Sequence, residues 1–318
     1  MKVLLFTHEQ DIDGMGSILL GKQAFKNLDY ITCKTFEVNE KVNQVIADKT
    51  IYQYDFIFVT DICIKEPLLS QINDDPKLNN KIIILDHHKS EIEEGNNKYP
   101  FVHIIVENEQ GKVSGTSLFY DYLVSNHLLV STPCLEELKE LTRQYDTWEW
   151  KQKYHNPKAR QLHILFEELG YKKYLTTMLN IIETKEKIEF GSKELALISK
   201  FDEQLEKSLI TILENMFIHT ELINGNNCKI GFVFIPYKYR NDLNEIVMEN
   251  NKHNIDVLGM IMTDTDTVSY RKVKDMDVSQ IGIYYGGKGH QNVASNPKNN
   301  PKFTKVLKKI MTKEELNG

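Results

Sequence analysis

The sequence predicts an α/β protein in two parts: an N-terminal doubly wound, mainly parallel sheet with a helical extension, linked to a second, smaller α/β domain. Three observations predict it. As far as Ser125, runs of β-branched and aromatic residues alternate with helical spacing, the pattern of strands covered on both faces by crossover helices. The strand signal then disappears between Cys134 and about Phe217, and a second α/β alternation begins beyond it. At 318 residues the chain is also longer than one core usually serves, which favours the same division.

The elements follow in order. Residues 2–7 are a short apolar run, succeeded by a polar loop and a helical stretch over 15–27. Residues 31–38 alternate like a half-buried strand. Segments 55–60 (Asp-Phe-Ile-Phe-Val-Thr) and 81–85 (Lys-Ile-Ile-Ile-Leu) are continuous strand runs, and 101–106 is another. Helical patterns at 66–73 and 116–125 fall between them. Leu, Ile and Phe then recur at helical spacing over 135–145, 158–169 and the long stretch 183–216. The second set has strands at 229–235, 255–262 and 267–273, with a helix over 241–250. The expected limits are therefore 1–182, a connecting helix at 183–216, and 217–318. The Lys- and Glu-rich C-terminal stretch reads as a solvated helix, not a binding tail.

Composition narrows the classes. No run approaches the roughly 18 apolar residues of a membrane span, so no membrane partner is expected. The apolar start is too short for a signal peptide. Cys33, Cys63, Cys134 and Cys228 are scattered without a paired spacing, which suits thiols in a reducing compartment and a cytoplasmic location. A net charge of −6, with no basic stripe, argues against long duplex nucleic acid. It is neutral about short phosphoesters, because a carboxylate-rich site is offset once cations bind.

Three of the expected strands run into metal-ligand residues. After 2–7 come His8, Asp11 and Asp13; after 55–60 comes Asp61; after 81–85 comes Asp86-His87-His88. Ligands of open α/β sheets bind beyond the carboxyl ends of the strands, so parallel pairing brings the three clusters to one edge. Each alone has an ordinary reading. An Asp at a strand end is commonly a helix N-cap, and Asp11-Ile12-Asp13-Gly14 could be a turn, though it lacks the later ligands of a calcium loop. Three polar residues closing a buried strand at Asp86 need partners. Imidazole and carboxylate donors without thiolates suit Mn²⁺, with Mg²⁺ or Co²⁺ as alternatives. Two such ions need a carboxylate able to bridge them.

These residues resemble the DHH phosphoesterase superfamily: Asp86-His87-His88, with His8-x-x-Asp11-x-Asp13 before it and Asp61 between. Tyr145-Asp146-Thr147-Trp148 is similar to the family's fourth motif. Val268-Ser269-Tyr270-Arg271, followed by Gly286-Gly287-Lys288-Gly289-His290, resembles the family's associated C-terminal domain. The resemblance implies two divalent ions: His8 and Asp11 on one, Asp13 helping to hold the other, Asp61 bridging, and His87 and Asp146 completing the second site. It implies Asp86 as an orienter and His88 facing the phosphate. Arg271 and His290 would take the substrate's far phosphate or sugar, with Gly286, Gly287 and Gly289 allowing close backbone approach. One departure concerns His8, since the family motif often has one more residue between its His and first Asp.

Within the family the resemblance is nearest to bacterial oligoribonucleases (nanoRNases). Release of nucleoside monophosphates from short single-stranded oligonucleotides or dinucleotides is thus expected, in an active-site cleft between the domains. Alternatives are a linear or cyclic dinucleotide phosphodiesterase, a 3′-phosphoadenosine 5′-phosphate phosphatase, and a nucleotide-binding sensor without turnover. Loss of the bridging carboxylate would mark the sensor, and Asp61 is present. Other candidates read as structure: Asp264 and Asp266 sit between strand patterns as a hairpin turn. Ser114-Gly115-Thr116-Ser117 opens a helix and serves either as an anion site or as an N-cap.

Overall fold

The computed structural model describes residues 1–289 and 291–317, with side chains as far as Thr312. Two compact units divide between Ser199 and Lys200. In the first, β1 (Lys2–His8), β2 (Asn27–Cys33), β3 (Phe56–Thr60), β4 (Ile82–Asp86) and β5 (Val102–Ile104) form one sheet in the order β2-β1-β3-β4-β5. Every pairing is parallel. Between strands run α1 (Ile12–Ala24), α2 (Val38–Ala47), α3 (Leu68–Asp74) and α4 (Lys89–Glu93). The sheet core is built from apolar side chains such as Phe6, Ile57, Val59 and Ile84, packed on Val38, Val42, Leu69 and Ile72. A small hairpin, β6 (Glu107–Asn108) and β7 (Gly111–Lys112), precedes the helical extension: α5 (Gly115–Ser125), α6 (Pro133–Asp146), α7 (Glu149–Gln152) and α8 (Pro157–Thr184). Helix α9 (Ser192–Glu214) crosses the division between units.

The second unit is a six-stranded mixed sheet. Its strands are β8 (Phe217–Ile223), β9 (Asn226–Ile235), β10 (Val257–Met262), β11 (Thr267–Lys272), β12 (Lys288–Gly289) and β13 (Val293–Pro297), in the order β12-β13-β11-β10-β9-β8. Only β9 and β10 pair in parallel, joined through α10 (Arg240–Glu249); the other pairs are antiparallel. Helices α11 (Ser279–Tyr284) and α12 (Pro301–Asn317) cover the sheet, with Phe303, Val306 and Ile310 packed on Phe232, Tyr270 and Tyr285.

Two sequence expectations are corrected. The strand expected over 31–38 ends at Cys33, and a helix starts at Val38. The alternation of Phe36 with Val38 imitates a strand, yet Val38 and Val42, one helical turn apart, are the buried pair, and Phe36 is 72% exposed. The helix expected over 183–216 breaks after Thr184 and resumes at Ser192. Between them Ile188 is buried, and its backbone N donates to Glu137 Oε2 at 2.7 Å, so packing on α6 outweighs helical spacing. Sequence reasoning also passed over α2, β8, α11 and β13. All four cysteines are free and buried.

Candidate metal centre

Register places the first cluster. Thr7 pairs with Thr60 and Thr60 with Leu85, so the residues one step further, His8, Asp61 and Asp86, stand side by side at the carboxyl edge of three adjacent strands. Asp11 caps α1: its Oδ1 accepts from the backbone N of Asp13 (3.2 Å) and Gly14 (3.0 Å), while Oδ2 lies 2.8 Å from His8 Nδ1. The ordinary cap and the candidate ligand are one side chain using different oxygens. Asp61 adopts a φ of 62°, in the left-handed region. Its backbone is packed so closely on Gly115 that a Cβ there would fall 2.5 Å from Asp61 Cβ. Only glycine fits.

The second cluster comes from more distant elements. His87 Nε2 lies 3.3 Å from Asp61 Oδ1, 3.6 Å from Asp146 Oδ2 and 3.8 Å from Asp13 Oδ2. The donor atoms of Asp13, His87 and Asp146 all fall within 4.8 Å of one another, as do those of His8, Asp11 and Asp61. Asp61 also groups with Asp86, His87 and His88. Thus Asp61 belongs to two of these groups, and His87 links it to the Asp13–Asp146 pair. Asp86 Oδ1 accepts from the backbone N of His87 (2.7 Å) and of His88 (3.3 Å), and lies 2.7 Å from His88 Nδ1. Buried Asp86 thereby sets the angle of His88, whose side chain is half exposed.

Electrostatics supply the test of whether cations fit. Burial, then the charges of Asp13 and Asp11, push the Asp61 carboxyl well above the ordinary range. Burial likewise pushes Asp146 up to about 7, with Asp13 and Asp11 adding to it and His87 opposing. Asp61 Oδ2 is buried without a hydrogen-bond partner. Burial also disfavours the charged form of Asp11, but the His8 contact outweighs it and holds that carboxyl at about 2. Crowded carboxylates, an orphaned oxygen and imidazoles without thiolates together form a donor set for hard to borderline divalent ions.

In the second unit, Arg271 lies on β11, with Nη1 2.6 Å from Ser269 Oγ and 3.2 Å from the carbonyl of Tyr270. Burial, then the neighbouring Arg240, lowers its guanidinium to about 10. Arg240 is stacked on the Tyr237 ring at 3.7 Å. The glycine run is required by the fold itself: a Cβ on Gly287 would sit 1.8 Å from the Ser295 carbonyl, and one on Gly289 2.4 Å from Ala294. Gly286 has a φ of 74°. His290 lies outside the described residues. Asp264 is in the loop between β10 and β11, where Oδ1 accepts from Tyr237 N at 2.9 Å.

The segment at Ser114 turns out to satisfy both of its readings. Ser114 Oγ accepts from Ser117 N at 3.2 Å as an N-cap. The helix N-terminus also holds an anion, and that anion is Asp13: Gly115 N and Thr116 N donate to its two oxygens at 2.6 and 2.8 Å. Sequence reasoning missed this pairing because the partners are about a hundred residues apart. It also missed the wall behind Asp146, where Tyr145 stacks on buried His163 at 4.4 Å and Trp148 turns through a φ of 62°.

Known proteins resemble this chain in sequence and in fold. The family model described as "DHH family, N-terminal domain" matches residues 2–145. The chain is 30% identical over 293 residues to oligoribonuclease NrnB of Bacillus subtilis, covering 90% of this chain and 70% of that protein. Among solved structures, it shares the fold of the pGpG-specific phosphodiesterase PggH of Vibrio cholerae, with a TM-score of 0.55, 11% identity and full coverage of both chains. Exonuclease RecJ bound to manganese also has a TM-score of 0.55, at 12% identity, covering 97% of this chain and 89% of that one.

Proposed function

The chain belongs to the DHH family, and on that premise we propose that it is a metal-dependent exonuclease releasing nucleoside monophosphates from short single-stranded oligonucleotides and dinucleotides. The observation that carries this reading is the double membership of Asp61, which groups with His8 and Asp11 and also with Asp86, His87 and His88, and whose Oδ2 is buried without a hydrogen-bond partner. His8 and Asp11 would hold one divalent ion, His87 and Asp146 a second with help from Asp13, and Asp61 would serve both. Mn²⁺ suits the donors best, with Mg²⁺ or Co²⁺ as alternatives. When bound, two such ions supply Lewis-acid charge to the phosphate oxygens and favour a water nucleophile.

The chain's own residues do the rest. The amides of Gly115 and Thr116 fix both oxygens of Asp13, so that carboxylate stays in place while its remaining lone pairs face the site. Asp86 engages His88 Nδ1, which leaves Nε2 as the ring nitrogen to donate toward a phosphate oxygen. Arg271, a partly buried guanidinium on β11, binds a phosphate away from the reacting centre through its planar fork of N–H donors. NrnB is by name an oligoribonuclease, which supports short RNA as the substrate class.

The test is a panel with Mn²⁺: a dinucleotide, a 5-mer, a 24-mer, a cyclic dinucleotide and 3′-phosphoadenosine 5′-phosphate. The proposal expects the dinucleotide and 5-mer to be turned over fastest. Equal rates on the 24-mer point to a processive nuclease, and selective turnover of the cyclic dinucleotide or of 3′-phosphoadenosine 5′-phosphate replaces this reading with a signalling or salvage phosphatase.

A further inference from the structure

Of the 14 phenylalanines, 15 tyrosines and two tryptophans, Phe36 is the one that stands exposed, at 72%. Single exposed apolar side chains are ordinary, and Val130 is 83% exposed, so it is the surroundings of Phe36 that single it out.

Its place is informative. Strand β2 ends at Cys33, which lies opposite His8 in the parallel register, so the segment that follows leaves the sheet at the carboxyl edge that carries the candidate metal centre. That segment is fastened and not loose. Glu37 N donates to the Lys34 carbonyl at 2.9 Å and Lys34 N donates to Glu37 Oε2 at 3.1 Å, closing a single turn around Phe36. Asn39 then makes two bonds to the loop that follows Asp61: its Nδ2 donates to the Lys65 carbonyl at 3.0 Å, and its Oδ1 accepts from Lys65 N at 2.8 Å. The ring is thereby held on a rigid turn tied to the same loop that carries Asp61. Lys34 Nζ lies 5.9 Å from the ring centroid, putting a cation beside the aromatic face.

We infer that Phe36 is a stacking platform for a nucleobase of the substrate, with Lys34 serving the phosphate attached to that nucleotide. A flat apolar ring with an adjacent ammonium is the pair that a nucleotide presents in complement: a π-face and an anion. Stacking of this kind is tolerant of base identity, since every base has a π-face, so the platform raises affinity for nucleotides in general and selects against base-free phosphodiesters. The inference rests on the nucleic-acid reading proposed above and deepens it by naming a base-binding subsite.

The experiment compares wild type, Phe36→Ala and Phe36→Trp on an adenine dinucleotide and on the same dinucleotide with both bases removed. Because Phe36 contributes little buried surface, the alanine variant folds. Expected is a KM for the adenine dinucleotide raised about tenfold in Phe36→Ala, kcat within about twofold, an unchanged KM for the abasic substrate, and recovery in Phe36→Trp. An unchanged KM for the adenine dinucleotide overturns the platform, and so does an equal rise for both substrates. Binding is read separately from turnover, by quenching of a 2-aminopurine dinucleotide. If wild type hydrolyses neither substrate, the hydrolase reading fails by itself. Quenching lost in Phe36→Ala then still supports the platform, and quenching retained overturns it. Sedimentation of the same variants covers the other occupant: a dimer lost with Phe36→Ala while quenching persists assigns the ring to a second copy of this chain and overturns the inference.

Discussion

In the N-terminal unit, five carboxylates (Asp11, Asp13, Asp61, Asp86 and Asp146) gather at one edge of a parallel sheet; in the C-terminal unit, a partly buried guanidinium on a mixed sheet stands beside a second one from helix α10. The first arrangement raises Asp61 well above its ordinary range and Asp146 to about 7, while the second lowers Arg271 to about 10. Burial is the leading cause in each case, and like charge adds to it. Both units therefore crowd like-charged groups together where burial disfavours their charged forms, acidic in the first and basic in the second. Structural ion pairs are made elsewhere in the same chain, as where Arg143 meets Glu140 and Glu149 at 2.7 Å. The difference teaches that crowding of like charge takes opposite sign in the two units, the pattern that the proposed cation and phosphate sites would use.

The largest expected effect breaks the first half of that comparison. Asp61→Ala removes the side chain shared by both donor sets and should lower turnover by about a thousandfold or more, the upper scale of losing one key electrostatic contact. Circular dichroism should show the fold retained. A variant within about tenfold of wild type would show that Asp61 joins nothing.

The next effect is on stability and needs no substrate. Asp61 and Asp146 have folded-state values above the ordinary 3.8, so between that value and their raised ones the folded chain binds more protons than the unfolded chain. Stability of metal-free protein should thus fall as pH rises, for Asp146 between about 4 and about 7, by on the order of a few kcal/mol. His8 and His87, both raised by their carboxylate neighbours against the effect of burial, act in the same direction. Thermal melts in chelator should give a higher Tm at pH 5 than at pH 8, and Mn²⁺ at pH 8 should restore it by binding only the folded state. A Tm that climbs with pH in chelator would contradict the crowding.

Third, the two units should separate under mutation. Asp146→Ala should lose metal at one site, whereas Arg271→Ala should keep full occupancy and raise KM for a dinucleotide roughly 10- to 100-fold, the scale of a charge-assisted contact. Metal lost from Arg271→Ala with normal nucleotide affinity would collapse the distinction. Smallest is Asp264→Ala, which removes only an acceptor for Tyr237 N in a hairpin loop. It should change kcat/KM by no more than about threefold and cost about 1 kcal/mol in urea melts. A loss on the scale of Asp61→Ala would make that loop part of the site.

Much of this was legible before any coordinates. The continuous β-branched and aromatic runs before Asp61 and Asp86 are typical of strands covered on both faces, and parallel pairing of such strands brings their following residues to one edge whatever the loops do. His8, Asp11, Asp61, Asp86 and His87 were readable for that reason. Asp146 was not readable from pattern alone, since an acidic residue ending a helix is ordinary; it entered through resemblance to the Tyr-Asp-x-Trp motif. Phe36 was misread because apolar alternation over a few residues fits a strand as well as a turn leading into a helix.

The sequence by itself determined the strand runs, their parallel sense and the chemical type of the donors, because hydrophobic period and residue identity are local properties. Only the tertiary structure decided which partners those donors acquire. Asp13 meets the amides of Gly115 and Thr116 across about a hundred residues, Gly115 leaves room for the left-handed backbone of Asp61, and Arg240 comes to lie beside Arg271. Such pairings depend on how helices and strands pack after they form, and contact between residues far apart in the chain leaves no periodic trace in it.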